Sequence, residues 1–423
     1  MLLCTLPLKR RRSNSIRSMV PTLTDHGYAV DSPVMRIAYC TNVRLPSERA
    51  HGHQIAKVVS ALRDMDHEVE IFAPFRKNDI EASFESYYGL KSPVHLHHLG
   101  KTDGIKAWWA PGVLGLKLTT FLLQRGLRKV FEKRAKEFDL IYTRTPEILP
   151  ALTGHGVPVI IELHRIPRVG VGGFLRQLRK TCLIVALTSP MRQALIDMGV
   201  SDVPVIVEGD AVDLHDFDAL PEPAATRASL KVPEGASLIV YAGQLKSMGL
   251  SKGIPELLGA LRVLRERGTE FRAVIAGGPE AEKERFENGL PEELHPVVTF
   301  TGHLPHLKIP TLMTAADILV YPAPKSSHPF YVRDTSPLKL FEYMASGRPI
   351  VAADLPPLRD AVDESMVTFV PPGDEDELAR GMLEILDDAE GALKKARAAR
   401  THVESFTWGS RMKRILEAAR MRK

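Results

Sequence analysis

The sequence predicts two doubly wound α/β domains in tandem. Three observations carry this. Short apolar runs of strand length alternate with helical patterns along nearly the whole chain, as parallel sheets covered on both faces require. The alternation stops at residues 220–235, rich in Pro, Ala and charge, and then starts again. A chain of 423 residues is also too long for a single core.

Residues 1–34 read as a tail without structure. Their apolar start, MLLCTLPL, precedes the basic cluster, the reverse of a secretory signal peptide. Met35 stands directly before the first strand, so an over-long gene start is the plainer reading. A basic arm touching anionic lipid is the alternative. The first domain is expected at 35–219, with strands at MRIAYCT, HEVEIFAP, DLIYTR, VPVIIELH, CLIVALTS and VPVIVEG. Between the first two, Ile55, Val58, Val59 and Leu62 mark one face of a helix. The basic piece 101–137 carries Trp108, Trp109, Leu114, Leu116 and Phe121. It reads as an amphipathic helix on the first sheet, or alternatively as a patch making peripheral contact with a membrane.

Residues 220–235 are expected to be a linker. The second domain, 236–405, repeats the pattern with SLIVYAG, FRAVIAGG, VVTFTG, DILVYPA, RPIVAAD and MVTFVPPG. A basic helix at 406–423 closes the chain.

Composition narrows the function classes. The 44% hydrophobic and 25% charged content is that of an ordinary globular protein, and no apolar run reaches membrane-spanning length. Cys4, Cys40 and Cys182 form neither a disulfide framework nor a zinc pattern, so a reducing cytoplasm is expected. Five basic and two acidic residues in the tail account for most of the net +5, leaving the other 389 residues at +2. Nucleic acid is not an expected partner.

The stretch DTSPLKLFEYMASGRPIVAAD, Asp334 to Asp354, reads as loop, helix, glycine stop and buried strand. Ser336 suits an N-cap and Pro337 the first helical position. Glu342 lies among Leu338, Leu340, Phe341, Met344 and Ala345, and a carboxylate there needs a hydrogen-bond partner. A ribose diol would serve; so would an ion pair with Arg348. The backbone N–H groups of Leu338 and Lys339 at the helix start favour a phosphate.

Further candidates stand at strand ends, where open α/β sheets bind ligands. They are Gly243, Gln244 and Lys252 in YAGQLKSMGLSKG, Gly277 and Gly278 in AGGPE, Leu304 after VVTFTG, and Glu162 and His164 closing VPVIIELH. Gly52 opens the first helix within Ala50-His51-Gly52-His53. His51 with His53, and His95 with His97 and His98, invite a metal, but no carboxylate or Cys stands at ligand spacing, and none is expected. Asp216 to Asp218, DFD, is read as structural.

The spacing of Asp334 and Glu342, on a helix ending in Ala-x-Gly-x-Pro, resembles the donor-site signature of retaining glycosyltransferases of family 4. The likeness covers about residues 35–420 and is nearest to a subgroup with Ser-Pro-Leu-Lys before the second acid. It implies a GT-B fold, the last helix crossing back to the first domain, and a UDP- or GDP-linked sugar as co-substrate, with no cofactor. By that resemblance Lys252 bears on the diphosphate, Gln244 stands where Arg is usual, and Gly52 faces the diphosphate. The 302–304 turn meets the base, and His164 lies beside the transferred sugar. Lys252, His164 and Asp334 are thus the catalytic candidates. Glu342, Ser336, Leu338, Lys339, Gly52, Gly243, Gln244, Gly277, Gly278 and Leu304 are the donor-binding ones. The acceptor would be a glycan, a lipid-linked molecule or a small molecule.

Rival readings are a sugar-nucleotide epimerase on the same fold and a non-catalytic nucleotide-sugar-binding homologue. An NAD-dependent oxidoreductase is disfavoured, because TNVRLPSERAHG lacks the Gly-x-Gly-x-x-Gly spacing.

Overall fold

The computed structural model describes residues 33–100, 103, 113–247, 249–305, 307–335 and 337–421. The readings placed on the tail, on Ser336 and on Trp108 and Trp109 lie outside them.

Two parallel sheets organise the chain. The first contains β1 (Arg36–Cys40), β2 (Glu68–Pro74), β3 (His95–Leu99), β4 (Leu140–Thr143), β5 (Val159–Leu163), β6 (Leu183–Ala186) and β7 (Val205–Val207). Its strand order is β3-β2-β1-β4-β5-β6-β7. The second contains β8 (Ser237–Ala242), then, after a small hairpin of β9 (Lys246–Ser247) and β10 (Leu250–Ser251), β11 (Phe271–Ala276), β12 (Val298–Gly302), β13 (Ile318–Tyr321), β14 (Ile350–Ala353) and β15 (Thr368–Val370). Its order is β12-β11-β8-β13-β14-β15. Central strands such as LIYT and ILVY are buried throughout, because helices cover both faces.

Each sheet reverses its winding at one point, between β1 and β4 in the first and between β8 and β13 in the second. Loops diverge there and leave a crevice at the carboxyl ends of the strands. In the second sheet the two diverging loops touch. Gly253 has φ +83°, and a Cβ on it would stand 2.6 Å from the backbone of Pro322 and Ala323, so only glycine fits.

Two readings change. Residues 220–235 are not plain linker: Pro223–Ser229 is a helix, with Pro223 in its first turn. Arg227 ties it to the second domain through Asp317 at 2.8 Å and the Ala236 carbonyl at 2.7 Å. The segment 95–99, considered above only for its histidines, is the edge strand β3.

The helix Trp408–Arg420 returns to the first domain. Trp408, Met412, Ile415 and Leu416 join the core that includes Ile55, Val59 and Leu62. Where the chain crosses back it meets its outward path, with Val212 paired to Thr407 and the Val212 N–H on the Phe406 carbonyl at 3.0 Å. The domains also touch directly: Thr188 Oγ1 donates to the Arg333 carbonyl at 2.5 Å.

Candidate active site

At the second switch point two lysines converge. Lys339, in the first turn of helix Leu338–Ala345, sends its Nζ back to Tyr241 Oη at 3.1 Å, over the rings of Tyr241 (4.1 Å) and Tyr321 (4.6 Å). Gly243 makes room for it, since a Cβ there would lie 3.1–3.2 Å from Lys339 Cε and Nζ. Lys252 Nζ stands 4.0 Å over the Phe330 ring. Burial lowers the pKa of Lys252 to about 8. Burial, then the charge of Lys252, holds Lys339 well below the usual lysine range, against the pull of Glu342. Among the described residues neither amine has a carboxylate within ion-pair distance. Two desolvated amines sharing one place without a counterion make a site for an anion.

Glu342 follows one turn after Lys339. Its carboxylate makes no hydrogen bond or ion pair among the described residues. Burial, then the charge of Asp216, pushes its pKa up to about 7, with Lys339 opposing and Asp210 adding. The ion pair with Arg348 is absent: the charges bearing on Arg348 are Asp317 and Arg227. Asp216, read above as merely structural, thus bears electrostatically on the site. Asp334 is clasped by its neighbour, with Arg333 Nε donating to Oδ1 at 2.6 Å and Nη2 to Oδ2 at 3.1 Å. The helix begins at Leu338, one residue later than expected, and Pro337 is its cap residue, whose carbonyl accepts from the Leu340 N–H at 2.7 Å. The N–H groups of Leu338 and Lys339 are in the turn that has no intrahelical acceptor.

Across the cleft His164, just past β5, donates from Nε2 to Glu162 Oε1 at 2.7 Å. Burial, then the Arg144 charge, lowers its pKa, with Glu162 opposing. The imidazole is therefore neutral at pH 7, and that bond leaves Nδ1 as its acceptor. Burial alone would raise Glu162. The Arg411 charge and the His164 hydrogen bond instead carry it well below the carboxylate range. Gln54 Nε2 joins Glu162 (2.6 Å) to Asp210 (3.1 Å), and Tyr142 Oη donates to Glu162.

Residues 236–388 match the family model described as "Glycosyl transferases group 1". This segment is similar to the group 1 glycosyltransferases. Among curated proteins, the chain is 30% identical over 258 residues to a D-inositol 3-phosphate glycosyltransferase of Kineococcus radiotolerans, covering 56% of each chain. It is 29% identical over 231 residues to a 2-deoxystreptamine glucosyltransferase of Streptomyces kanamyceticus, covering 53% of this chain and 56% of that one. The chain thus spans about half the length of these relatives. Among solved structures, HepE of Anabaena in complex with UDP and glucose superposes with TM-score 0.65 at 20% identity, over 90% of this chain and 98% of that one. Sucrose-phosphate synthase of Thermosynechococcus elongatus superposes with TM-score 0.68 at 19% identity, over 91% and 98%. The fold is GT-B.

The remaining expected residues are spread over both domains. Gln244 is exposed, and its carbonyl accepts from Tyr241 Oη at 2.5 Å. The cation nearest to it in the chain, Lys246, is engaged by Glu282 at 2.9 Å. The Gly277 N–H reaches the Gly302 carbonyl, the Gly278 carbonyl accepts from the Leu245 N–H, both at 2.8 Å, and Leu304 packs on the core. These contacts shape the sheet edge. Gly52 has a packing reason for being glycine, because its Cβ would meet Tyr88 Oη at 2.2 Å and the Ser47 carbonyl at 2.8 Å. No group of three metal-ligating side chains occurs among the described residues. His97 instead pairs with Glu70 at 2.8 Å.

Sequence reasoning missed Lys339 as an amine, having used only its backbone. It also missed Gln54, Arg333 and Arg411. A lysine facing a strand-end glycine was the available signal for the first; the others depend on contacts distant in sequence or on a neighbour's rotamer.

Proposed function

We propose that this chain is a metal-independent, retaining hexosyltransferase that takes a sugar from a nucleotide donor. The observation that carries the reading is the uncompensated pair Lys252 and Lys339 next to the unpartnered Glu342. A diphosphate supplies the anion the two amines lack, and a ribose diol supplies the donors Glu342 lacks. The UDP in the HepE complexes supports uridine as the base.

In the reaction, the bond between the anomeric carbon and the diphosphate oxygen breaks as the acceptor hydroxyl oxygen bonds to that carbon on the same face. The proton passes to a diphosphate oxygen. Lys252, Lys339 and the helix start stabilise the departing charge, which grows as the bond breaks. His164 Nδ1 accepts a hydroxyl of the transferred sugar. Asp334, fixed by Arg333, borders the donor. The setting is cytoplasmic synthesis of a cell-envelope glycan or polysaccharide. Among the described residues no helix is long and apolar enough to cross a membrane, so a lipid-linked acceptor is met from the surface, beside Leu114 and Phe121, exposed on helix Val113–Arg134.

Thermal shift with UDP, GDP, ADP and their glucose conjugates tests this. Stabilisation by UDP or GDP, abolished in Glu342→Ala, is expected. No shift with any of them overturns the reading. Conversion of the nucleotide sugar without an acceptor would make the chain an epimerase.

A further inference from the structure

The first domain holds its own cleft, of about 770 Å³, at its switch point. Loops after β1, β2, β4 and β5 line it, together with helix Val113–Arg134. Six cations point to it: Arg44, Arg49, Arg76, Lys77, Lys117 and Arg165. Three acids share the lining, and each is already engaged. Glu48 pairs with Arg44, and Glu147 lies 3.7 Å from Arg165. Asp103 accepts the Lys77 backbone N–H at 3.0 Å. Among the described residues the side chains of Arg49, Lys77 and Lys117 have no carboxylate within ion-pair distance.

Among the described residues two buried guanidinium atoms lack a partner: Arg76 Nε, in the lining, and Arg144 Nη1, just past β4 and outside it. Each is a strong donor removed from water, which is costly unless a ligand completes it. The arginine charges reach His51 in the lining: burial first, then Arg144, Arg49 and Arg76, lower its pKa to about 4, against Glu48. Arg144 also acts on His164, so this positive edge adjoins the reaction centre.

We infer that this cleft takes the anionic end of the acceptor, a phosphate group set several bonds away from the hydroxyl that receives the sugar. The inference rests on the glycosyl-transfer reading and narrows its acceptor class. Arg49, Lys77 and Lys117 bind the phosphate at the rim, Arg76 offers its unused N–H group deeper in, and Arg144 adds its charge from behind the lining. A neutral acceptor would leave these donors unmatched and is discriminated against for that reason.

The phosphate could belong to a soluble sugar phosphate or to a lipid headgroup, and the test separates them. The full chain is first saturated with UDP, so that phosphate cannot occupy the lysine pair. It is then titrated with inorganic phosphate, with glucose 6-phosphate against glucose, and with phosphatidylcholine vesicles with and without phosphatidic acid. At least one phosphate-bearing probe is expected to bind about tenfold tighter than its neutral counterpart, with salt weakening it. The double variant Lys77→Ala/Lys117→Ala should lose that preference. Its affinity for UDP should change less than twofold, since both side chains lie on the other domain. Preference for glucose 6-phosphate assigns a soluble acceptor; preference confined to the phosphatidic acid vesicles assigns a lipid-linked one. Equal binding of charged and neutral probes, or a preference that survives the double variant, overturns the inference. Failure of UDP itself to bind would instead overturn the donor reading.

Discussion

Arg411 Nη2 and Glu162 Oε2 stand 2.9 Å apart with side chains only 1% and 2% exposed, joining the helix Trp408–Arg420 to the fifth strand of the first domain. The same guanidinium reaches the Gly209 carbonyl at 2.5 Å. The carboxylate it neutralises is the one that orients His164.

Removing one partner should therefore be worse than removing both. Arg411→Ala is expected to lower stability by about 3–5 kcal/mol, because it strands a buried carboxylate. Arg411→Met with Glu162→Gln should recover part of that loss. Urea unfolding of the parent and the two variants measures it, and a double variant no better than the single would mean that the pair has another structural role.

Glu342 gives a pH dependence of definite sign. Its folded pKa, about 7, exceeds the ordinary 4.5, so the folded chain keeps a proton the unfolded chain has released. Stability without ligand falls as pH rises from about 4.5 to about 7, and the loss is complete above that. Glu342→Gln should then be more stable than the parent at pH 8, by up to about 3 kcal/mol. Affinity of the parent for UDP should rise over the same interval, as the carboxylate becomes an acceptor for the ribose. Melting curves and calorimetry from pH 5 to 8 read both effects.

Lys252 works in the opposite direction. With a pKa near 8 in the free protein, it loses its charge at moderately alkaline pH. UDP affinity should fall above pH 8. Lys252→Ala should cost about 1.5–3 kcal/mol in binding, roughly tenfold to a hundredfold, and more in turnover. A flat affinity profile to pH 9.5 would remove Lys252 from the diphosphate.

Stereochemistry tests the retaining mechanism. An α-linked donor should give an α-linked product. His164→Ala should lower turnover without reversing the anomer, since an inverting reaction would need a base opposite the leaving group. Proton NMR of the first product reports the coupling; a β product sinks the assignment of roles.

Turnover should persist in excess EDTA, because the two lysines and the helix start are assigned the diphosphate charge. Loss of activity restored by magnesium or manganese would refute that assignment.

What the sequence disclosed, and what it hid, has a physical pattern. Strands such as SLIVYA were readable because burial on both faces leaves an unbroken apolar run. The edge strand HLHHL was not, since one side of it meets water and its histidines imitate ligands. The helix Pro223–Ser229 was hidden by its own Pro223, which reads as a breaker but here opens the helix. Glu342 stood out as one charge in an apolar helix. Arg411 did not, because in a helix of Arg and Lys nothing local marks the one that turns inward toward a carboxylate 249 residues away. The side-chain role of Lys339 likewise waited on its facing Gly243 across the sheet edge.

The return of helix Trp408–Arg420 bears on how the molecule is made. On the ribosome the first domain emerges early, with all seven of its strands, but Glu162 has no countercharge and the groove beside Ile55 and Val59 lies open. It must wait in that state while the whole second domain is synthesised. Only when Arg411 clears the exit tunnel can the His164 network close, so the half translated first is the last to mature. A chain stalled before that point carries an exposed apolar groove, which is what chaperones and proteases recognise in unfinished chains.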